Sequence, residues 1–331
     1  MTGLAQAETY RIATFAAPLS RDGPGLLLRD IQSGDDPQIA AIREIIARIS
    51  PDVLLLTDFD YDLDGVALRA FADSFVPRYP HSFALRPNAG MATGLDLDGN
   101  GRLGDARDAQ GYGRFAGDGG MAILSRYPID AARVTDLSET LWKDLPGATL
   151  PVAAGAPFPS AAAQDILRLS STGHWIVPIS LPDGPPLSLL AFSATPPVFD
   201  GPEDMNGLRN RDELLMWDVV LKGGFGPAPD GFVIAGNANL DPEKGEGFSQ
   251  AMAALLNNPR LQDPLPNQDT ADWSDDGPGR LRVSYVLPAI DWTVTGAGVF
   301  WPEPDDPDRA LLGDDGQAAG PHRLVWVEIS G

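Results

Sequence analysis

The apolar positions of the chain fall into short continuous runs and one clear helical repeat. Residues 10–17 (YRIATFAA) begin with a β-rich run, which predicts a buried strand. A helix is predicted next, because Asp36 suits the N-cap, Pro37 suits the first helical position, and isoleucines then recur at helical spacing, at Ile42, Ile45, Ile46 and Ile49. Residues 53–57 (VLLLT) are typical of a strand buried on both faces, so the chain opens in β–α–β order.

Further apolar runs extend this order. Strands are predicted at 121–125, 175–180, 187–192, 232–235, 281–287 and 324–329, and helices at 211–221 and 248–256. A Pro-Asp-Gly-Pro turn without a helix joins two of these strands, which requires an antiparallel pair. We therefore expect mixed sheets with outer helices, in a single domain over 10–331 that follows a disordered N-terminal remnant at 1–9.

The composition is that of a folded, strongly acidic protein. The 331 residues are 43% hydrophobic, which excludes disorder of the whole chain. Acidic residues outnumber Lys and Arg by 46 to 24, which gives a net charge of −22. A field of this sign repels phosphate backbones, so we expect bulk nucleic acid not to be a partner unless a metal ion inverts the local charge.

The chain has no cysteine and three histidines. Thiolate zinc sites, iron–sulfur clusters, thiol nucleophiles, disulfides and a histidine-rich metal centre are therefore excluded. Any metal would be a hard cation, calcium or magnesium, held by carboxylate and amide oxygens.

The sequence also bears on location. No apolar run reaches the length of a membrane span. Residues 5–7 (Ala-Gln-Ala) resemble the end of a signal-peptide cleavage site, so we interpret the chain as a mature exported protein, periplasmic or extracellular. The alternative is a cytosolic protein that lacks cysteine.

Four short blocks follow or precede predicted strands, where open α/β sheets place their sites. They are 14–17 (TFAA), 56–62 (LTDFDYD), 234–242 (IAGNANLDP) and 320–326 (GPHRLVW). In this order, together with loops such as 141–148 (LWKDLPGA), 195–204 (TPPVFDGPED) and 298–302 (GVFWP), the chain resembles the endonuclease/exonuclease/phosphatase superfamily, the deoxyribonuclease-I-like fold, and within it a bacterial, often exported group.

The resemblance covers roughly residues 10–329 and implies a four-layer α/β/β/α sandwich, with two mixed sheets face to face and a cleft at the strand ends. It also implies hydrolysis of phosphodiesters or phosphomonoesters. In such enzymes Asn and Glu hold Mg²⁺, an Asp-x-Asn pair orients and deprotonates water, and two His residues with carboxylate partners stabilise the developing charge.

Six positions depart from the family's pattern. Ala16 stands in place of the first-strand Asn, and Asp58 in place of the metal-binding Glu, one methylene shorter. The positions where the family has His, Asp, Asp and Asp are here Ser193, Asn237, Ser284 and Pro321. Asn239 and His322 keep the family's residue types.

These losses predict a degenerate active site. A carboxamide takes up no proton near neutral pH, alanine ligates nothing, and a histidine without its carboxylate has no fixed tautomer. We therefore expect a catalytically impaired or inactive protein that binds a ligand, with Mg²⁺ doubtful as its cofactor. The alternative is an active metal-dependent phosphodiesterase or phosphatase that acts on a small phosphorylated substrate with other groups. The oligomeric state stays open.

Other polar residues near these blocks have simpler interpretations. His174 is interpreted as a structural imidazole with satisfied hydrogen bonds. Five acidic residues around 206–210 are interpreted as solvated surface charges: Asp200, Glu203, Asp204, Asp212 and Glu213.

A separate signal is found at 96–102 (DLDGNGR), which matches the front half of a calcium loop. Asp96, Asp98 and Asn100 supply oxygens at positions 1, 3 and 5, Gly101 allows the sharp turn, and Arg102 supplies a backbone carbonyl. Position 12 is Arg107, where a bidentate Glu is typical, but Asp105 and Asp108 flank it and could close the site. We expect structural Ca²⁺ here; the alternative is a solvated Asp/Gly turn.

Overall fold

The computed structural model describes residues 8–182, 184–273 and 277–331. Of the N-terminal remnant predicted at 1–9, only residues 8 and 9 lie within this part of the chain. The strands are β1 (Tyr10–Phe15), β2 (Val53–Phe59), β3 (His81–Phe83), β4 (Gly120–Ser125), β5 (Thr135–Asp136), β6 (Val152–Ala153), β7 (Ala156–Pro157), β8 (Gly173–Ile179), β9 (Leu187–Ser193), β10 (Phe232–Asn237), β11 (Ala271–Asp272), β12 (Arg280–Leu281), β13 (Ser284–Pro288), β14 (Thr293–Val299) and β15 (Val325–Ser330). The helices are α1 (Leu26–Ser33), α2 (Pro37–Ile49), α3 (Val66–Ala72), α4 (Ala161–Ile166), α5 (Met205–Leu221) and α6 (Ser249–Leu256).

Two large mixed sheets form the centre of the fold. Sheet one has the strand order β14-β15-β1-β2-β4-β3, and sheet two has the order β13-β10-β9-β8-β5. β1 runs parallel to β2 and antiparallel to β15, while β9 runs parallel to β10 and antiparallel to β8. The predicted antiparallel pair in the middle of the chain is therefore confirmed.

Alternate positions of the central strands face different layers. In β1, Tyr10 and Ile12 belong to the core between the sheets, whereas Ala13 and Phe15 pack outward in a second core that includes the isoleucines of α2. On the other side, α5 covers sheet two with Leu214, Met216 and Trp217. This arrangement confirms the predicted sandwich of two mixed sheets with outer helices.

The helix ends agree with the sequence in one case and differ in another. The Asp36 side chain accepts a hydrogen bond from the Ile39 backbone N–H, so the predicted N-cap of α2 is confirmed. By contrast, α5 begins at Met205, six residues before the predicted start at 211. No helix among the described residues has both the length and the apolar character that crossing a membrane requires.

Candidate functional site

Three of the substituted family positions lie side by side at one end of sheet two. Ser193 is the last residue of β9 and pairs in register with Asn237, the last residue of β10. Asn237 in turn pairs with Ser284, the first residue of β13. Residues in register point to the same face of a sheet. The structure therefore brings together the positions at which the family has His, Asp and Asp.

Asn237 and Asn239 form a local amide network. The Asn237 Nδ2 donates to the Asn239 side-chain oxygen over 3.1 Å, and the Asn239 Nδ2 donates to the Ala194 carbonyl over 2.8 Å. Asn239 adopts a positive φ of 50°, which asparagine tolerates better than most residues. Both amides thus hold the loop that follows β10 against the loop that follows β9. The Ser284 hydroxyl is buried and has no hydrogen-bond partner among the described residues.

The sheet-one side of the cleft lacks the expected metal ligand. Ala16 directly follows β1, is 5% exposed, and offers only a methyl group. The neighbouring hydroxyls of Thr14 and Thr57 are buried and, within the part of the chain that is described, unpartnered. This end of the inter-sheet space therefore contains a methyl group where the family's pattern calls for an amide, next to two buried hydroxyls.

Asp58 lies in a bulge of β2. The pairing with β4 shifts register between Thr57 and Phe59, and Asp58 has a φ of 85°, a region that favours glycine. The Ser20 hydroxyl donates to its carboxylate, and the carboxylates of Asp60 and Asp118 lie nearby. Burial, with a smaller contribution from these two acidic neighbours, raises the pKa of Asp58 to about 7.

Asp60, two residues after Asp58, bonds to the backbone on both sides of the same bulge. One of its oxygens accepts the Arg21 backbone N–H over 2.9 Å, and the other accepts the Gly119 N–H over 3.1 Å. Burial raises the pKa of Asp60 to about 6. A side chain at Gly119 would approach an Asp58 carboxylate oxygen to 3.0 Å, and Gly119 itself has a positive φ, so this position suits glycine.

We expect Asp58→Asn to increase the stability of the protein by an amount that grows with pH. A carboxyl group whose pKa rises from 3.8 to about 7 on folding favours the folded state below pH 4, and this contribution is lost as the pH rises through 7. The asparagine amide does not ionise, so the Asp58→Asn variant does not lose this stability as the pH rises. Urea unfolding at pH 4.5 and pH 8 measures the difference, with Asp64→Asn, an exposed position on the loop after β2, as the control. An equal gain at both pH values would contradict this assignment.

His322 lies just before β15 of sheet one, in a short pairing with Ala271. Its ring contacts the Trp273 ring edge to face, with centroids 5.1 Å apart. The Nδ1 atom has no partner within the described residues, so the carboxylate that the family provides is not replaced. Burial, with a smaller contribution from the Arg323 charge, lowers the pKa of His322 to about 4. The imidazole is therefore neutral near pH 7.

A buried polar network, which the sequence did not predict, holds the loops around the cleft. Glu213 on α5 is fully buried and accepts hydrogen bonds from the Ser171 N–H and hydroxyl and from the Thr195 N–H. Burial raises the pKa of Glu213 to about 7. Arg209, on the same face of α5, donates to the carbonyls of Leu169 and Gln110. These bonds fix the loop after β9, which carries Ser193.

The structure confirms the interpretation of His174 as a structural residue but not that of Asp212 and Glu213 as surface charges. His174 is a structural residue, since its ring is buried between Ser170 Oγ, 2.6 Å from Nδ1, and the Glu213 carbonyl, 3.1 Å from Nε2. Asp212 and Glu213, by contrast, are not solvated: both are 0% exposed. The interpretation of these two as surface charges was wrong because their amide, hydroxyl and indole donors come from loops distant in sequence.

The calcium-like loop folds around its own carboxylates. Asp96 accepts the N–H groups of residues 99–101, and Asp108 accepts the N–H groups of Leu97 and Gly104. Carboxylate oxygens of Asp96, Asp98 and Asp108 lie within 4.8 Å of one another, so this triad could hold a metal ion. Asp108 thus closes the site one position beyond the usual twelfth residue.

The remaining predicted residues of this loop have other contacts. The Asn100 amide donates to Asp98 and Asp105, over 3.1 and 2.6 Å, and its oxygen accepts the Arg102 N–H. Among the described residues, no second group of three acidic or histidine side chains meets the same spacing. The cleft itself fits the family's Mg²⁺ poorly, because Ala16 provides no donor where the family's pattern has Asn, which reduces the number of oxygen ligands beside Asp58.

A cavity of about 210 Å³ opens beside the Asp58 bulge. Residues 59–65, the start of α3 and the end of β3 line it, and they contribute Asp60, Tyr61 and Arg69. Neither Asn237 nor His322 borders it. The cavity lies at the outer edge of sheet one, away from the row of substituted residues.

Comparison with known proteins places this geometry in a family. A model of the endonuclease/exonuclease/phosphatase family matches residues 30–324. An endonuclease/exonuclease/phosphatase from Beutenbergia cavernae is 16% identical with a TM-score of 0.59, over 97% of this chain and 71% of that chain. Sphingomyelinase C from Streptomyces griseocarneus is 15% identical with a TM-score of 0.51, over 98% of this chain and 100% of that one. A mutant beta toxin from Staphylococcus aureus with bound magnesium ions is 12% identical with a TM-score of 0.52, over 98% and 100%. No curated protein sequence matched.

Proposed function

The chain belongs to the endonuclease/exonuclease/phosphatase family, and from this premise we propose that it binds a small phosphorylated ligand in the family's cleft without the family's hydrolytic power. The observation that supports this is the row of Ser193, Asn237 and Ser284 on three adjacent strands. The positions keep their place in the fold, but none of the three side chains takes up a proton near neutral pH.

Each catalytic task loses its group in this arrangement. Water would have to be activated by Asn237, whose amide donates to Asn239 and cannot serve as a base. Charge on the transferred phosphoryl group would have to be stabilised by a His322 that is neutral at pH 7 and by a serine in place of the second histidine. Hydroxyl and amide groups can still donate hydrogen bonds to phosphate oxygens. In this proposal the cleft therefore retains ligand binding although it has lost catalysis.

The alternative proposal is an active metal-dependent phosphodiesterase or phosphatase that uses other residues. The raised pKa values of Asp58 and Asp60, about 7 and 6, favour it, because such values suit a general base or acid. Hydrolysis of bis-p-nitrophenyl phosphate with Mg²⁺, Mn²⁺ or Ca²⁺ separates the two proposals. Turnover that is lost in Asp58→Asn would favour the alternative, and no turnover above buffer favours the binding protein.

The charge and the sequence support a small ligand and an extracytoplasmic location. A net charge of −22 makes bulk nucleic acid a poor partner, so the ligand in this proposal is small. The absence of cysteine and the Ala-Gln-Ala segment at 5–7 support a periplasmic or extracellular location. Immunoblots of fractionated cells that produce the protein from its own gene would test the location.

We further propose that Asp96, Asp98 and Asp108, with the carbonyl of Arg102 and the oxygen of Asn100, bind Ca²⁺ as a structural ion. The clustered carboxylate oxygens support this, since Ca²⁺ takes six to eight oxygen ligands in flexible geometry. Mg²⁺ fits less well, because it resists the loss of water that a protein cage of this kind requires.

Calcium should therefore raise the thermal midpoint of unfolding by a few degrees. Saturation at about 100 times the dissociation constant adds roughly 2.7 kcal/mol if only the folded state binds. Asp96→Ala combined with Asp98→Ala should abolish the shift, whereas Asp35→Ala combined with Asp64→Ala, which removes two exposed charges elsewhere, should keep it. If a chelator leaves the thermal midpoint of the parent protein unchanged, the loop binds no structural Ca²⁺ and is a solvated Asp/Gly turn.

A further inference from the structure

Two arginines, one of them next to His322 in sequence, lie against one tryptophan, and a third arginine lies near Arg323. The Arg280 and Arg323 guanidinium carbons lie 5.0 and 4.9 Å from the centre of the Trp301 ring. Arg309 lies near Arg323, since a Cβ added at Gly316 would lie 3.6 Å from guanidinium nitrogens of both side chains. Arg323 is thus the common neighbour of the other two.

This arginine cluster, Arg280, Arg309 and Arg323, directly adjoins the cleft. The β11–β12 hairpin that carries Arg280 docks on the segment before β15, because the Asp272 N–H donates to the Pro321 carbonyl over 2.9 Å. Arg323 donates to the carbonyls of Gly320 and Pro321, both at 3.0 Å. The cluster therefore lies at the rim of the cleft, on the side of His322.

Among the described residues, ion pairs account for one of the three positive charges of the cluster. Asp272 pairs with Arg280 Nε over 3.0 Å, whereas no ion pair of the described residues involves Arg309 or Arg323. The guanidinium of Arg323 is buried against neutral carbonyls, and its Nε has no partner in the described chain. Burial and the charges of Arg309 and Arg280 lower the pKa of Arg323 to about 10, against the opposing effect of Asp272. The nearby exposed carboxylate of Asp315 accepts the Gln317 N–H.

Two of the three guanidinium groups keep free donors. Arg323 uses its terminal nitrogens on carbonyls, but the terminal nitrogens of Arg280 and the side chain of Arg309 make no hydrogen bond within the described residues. Stacking on an indole ring holds a guanidinium in place and leaves its N–H groups directed sideways. An oxyanion that accepts from these groups would also reduce the repulsion among the three cations.

From these contacts we infer that Arg280 and Arg309, placed around Trp301 and Arg323, form an anion-binding subsite at the rim of the cleft that takes a phosphate group. The inference rests on the proposed function only in that the ligand carries phosphate. It assigns the recognition of that group to residues outside the row of Ser193, Asn237 and Ser284. It also gives a protein of net charge −22 a local means of attracting an anionic ligand.

Inorganic phosphate is the probe for this subsite, and isothermal titration calorimetry the measurement. The parent protein should bind phosphate in the millimolar range, and Arg280→Gln combined with Arg309→Gln should weaken binding at least about tenfold, which is the loss of one charge-assisted contact. Arg78→Gln combined with Arg133→Gln removes the same charge from exposed positions elsewhere and should change binding less than about twofold. Unchanged thermal midpoints establish that the variants fold, and Arg280→Lys should restore only part of the affinity.

The possible outcomes separate this subsite from the cleft. If Asn239→Ala abolishes phosphate binding while the double arginine variant keeps it, the rim inference is wrong and the proposed function stands. If the parent protein binds no phosphate even when phosphate is in about 100-fold excess over protein at millimolar concentration, both the rim inference and the proposed function are wrong. Acetate that binds as tightly as phosphate would show a carboxylate site instead, and so would overturn the inference.

Discussion

Restoring the family's groups at all six substituted positions should raise phosphoesterase activity by at least about 100-fold over the parent protein. A single positioned general base contributes about 10²–10⁴-fold, and metal binding adds to it. The six changes are Ala16→Asn, Asp58→Glu, Ser193→His, Asn237→Asp, Ser284→Asp and Pro321→Asp. The measurement is hydrolysis of bis-p-nitrophenyl phosphate with Mg²⁺.

Single reversions are the controls for this experiment. Each should increase activity little, because catalytic groups that act as a unit are strongly non-additive. The parent should show no micromolar affinity for Mg²⁺, and the six-fold variant should acquire it. If the parent already turns over as fast as the six-fold variant, the site has been assigned to the wrong residues. Micromolar Mg²⁺ binding by the parent that disappears in Asp58→Ala would lead to the same conclusion.

Asp212→Ala should lower the free energy of unfolding by about 3 kcal/mol. The buried carboxylate accepts the Trp142 indole N–H over 2.8 Å and the Thr149 backbone N–H over 2.9 Å, and it pairs with Arg211. Removing it leaves two donors without a partner, at about 1–3 kcal/mol for each buried donor. Urea unfolding at constant pH measures the loss.

Asp218→Ala is the matched control on the same helix. Asp218 pairs with exposed Lys222 one turn away, and exposed pairs of this kind contribute about 0.3–0.5 kcal/mol. Asp212→Asn should fall between the two variants, since an amide oxygen in place of Oδ2 can still accept both hydrogen bonds, whereas the amide NH₂ group in place of Oδ1 loses the pairing with Arg211. Equal losses in Asp212→Ala and Asp218→Ala would show that the Asp212 contacts add little to stability.

The fold could be predicted from the sequence where a local pattern decided the structure. α2 has both its cap and its isoleucine repeat within thirteen residues, and β2 is a continuous apolar run. β14 was missed because its sequence, TVTGAGV, contains two glycines, which are unfavourable in strands. The reason for these glycines lies in the next strand, since a Cβ at Gly298 would lie 2.8 Å from the Trp326 ring and one at Gly296 would lie 2.9 Å from a Glu328 oxygen.

The start of α5, close to the candidate site, also could not be predicted from local sequence. Its first turns contain Asn206, Gly207 and Asn210, which are poor helix formers, so the sequence predicted a later start. In the fold, Asn210 donates to the carbonyls of Thr195 and Ala238, both at 2.7 Å. Tertiary hydrogen bonds therefore compensate for weak local propensity. The order of motifs predicted which residues meet at the ends of β9, β10 and β13, but the burial of Glu213 depends on loops that only the folded chain brings together.

The pairing of β1 with β15 has a consequence for how the protein folds. These strands lie in the interior of sheet one, yet their partners Arg11 and Glu328 are 317 residues apart in sequence. Until β15 docks, one side of β1 presents unpaired backbone groups, and β14 has no strand to join. Because these contacts join distant parts of the chain, sheet one cannot be completed until β15 has been synthesised, and we expect this late pairing to slow folding.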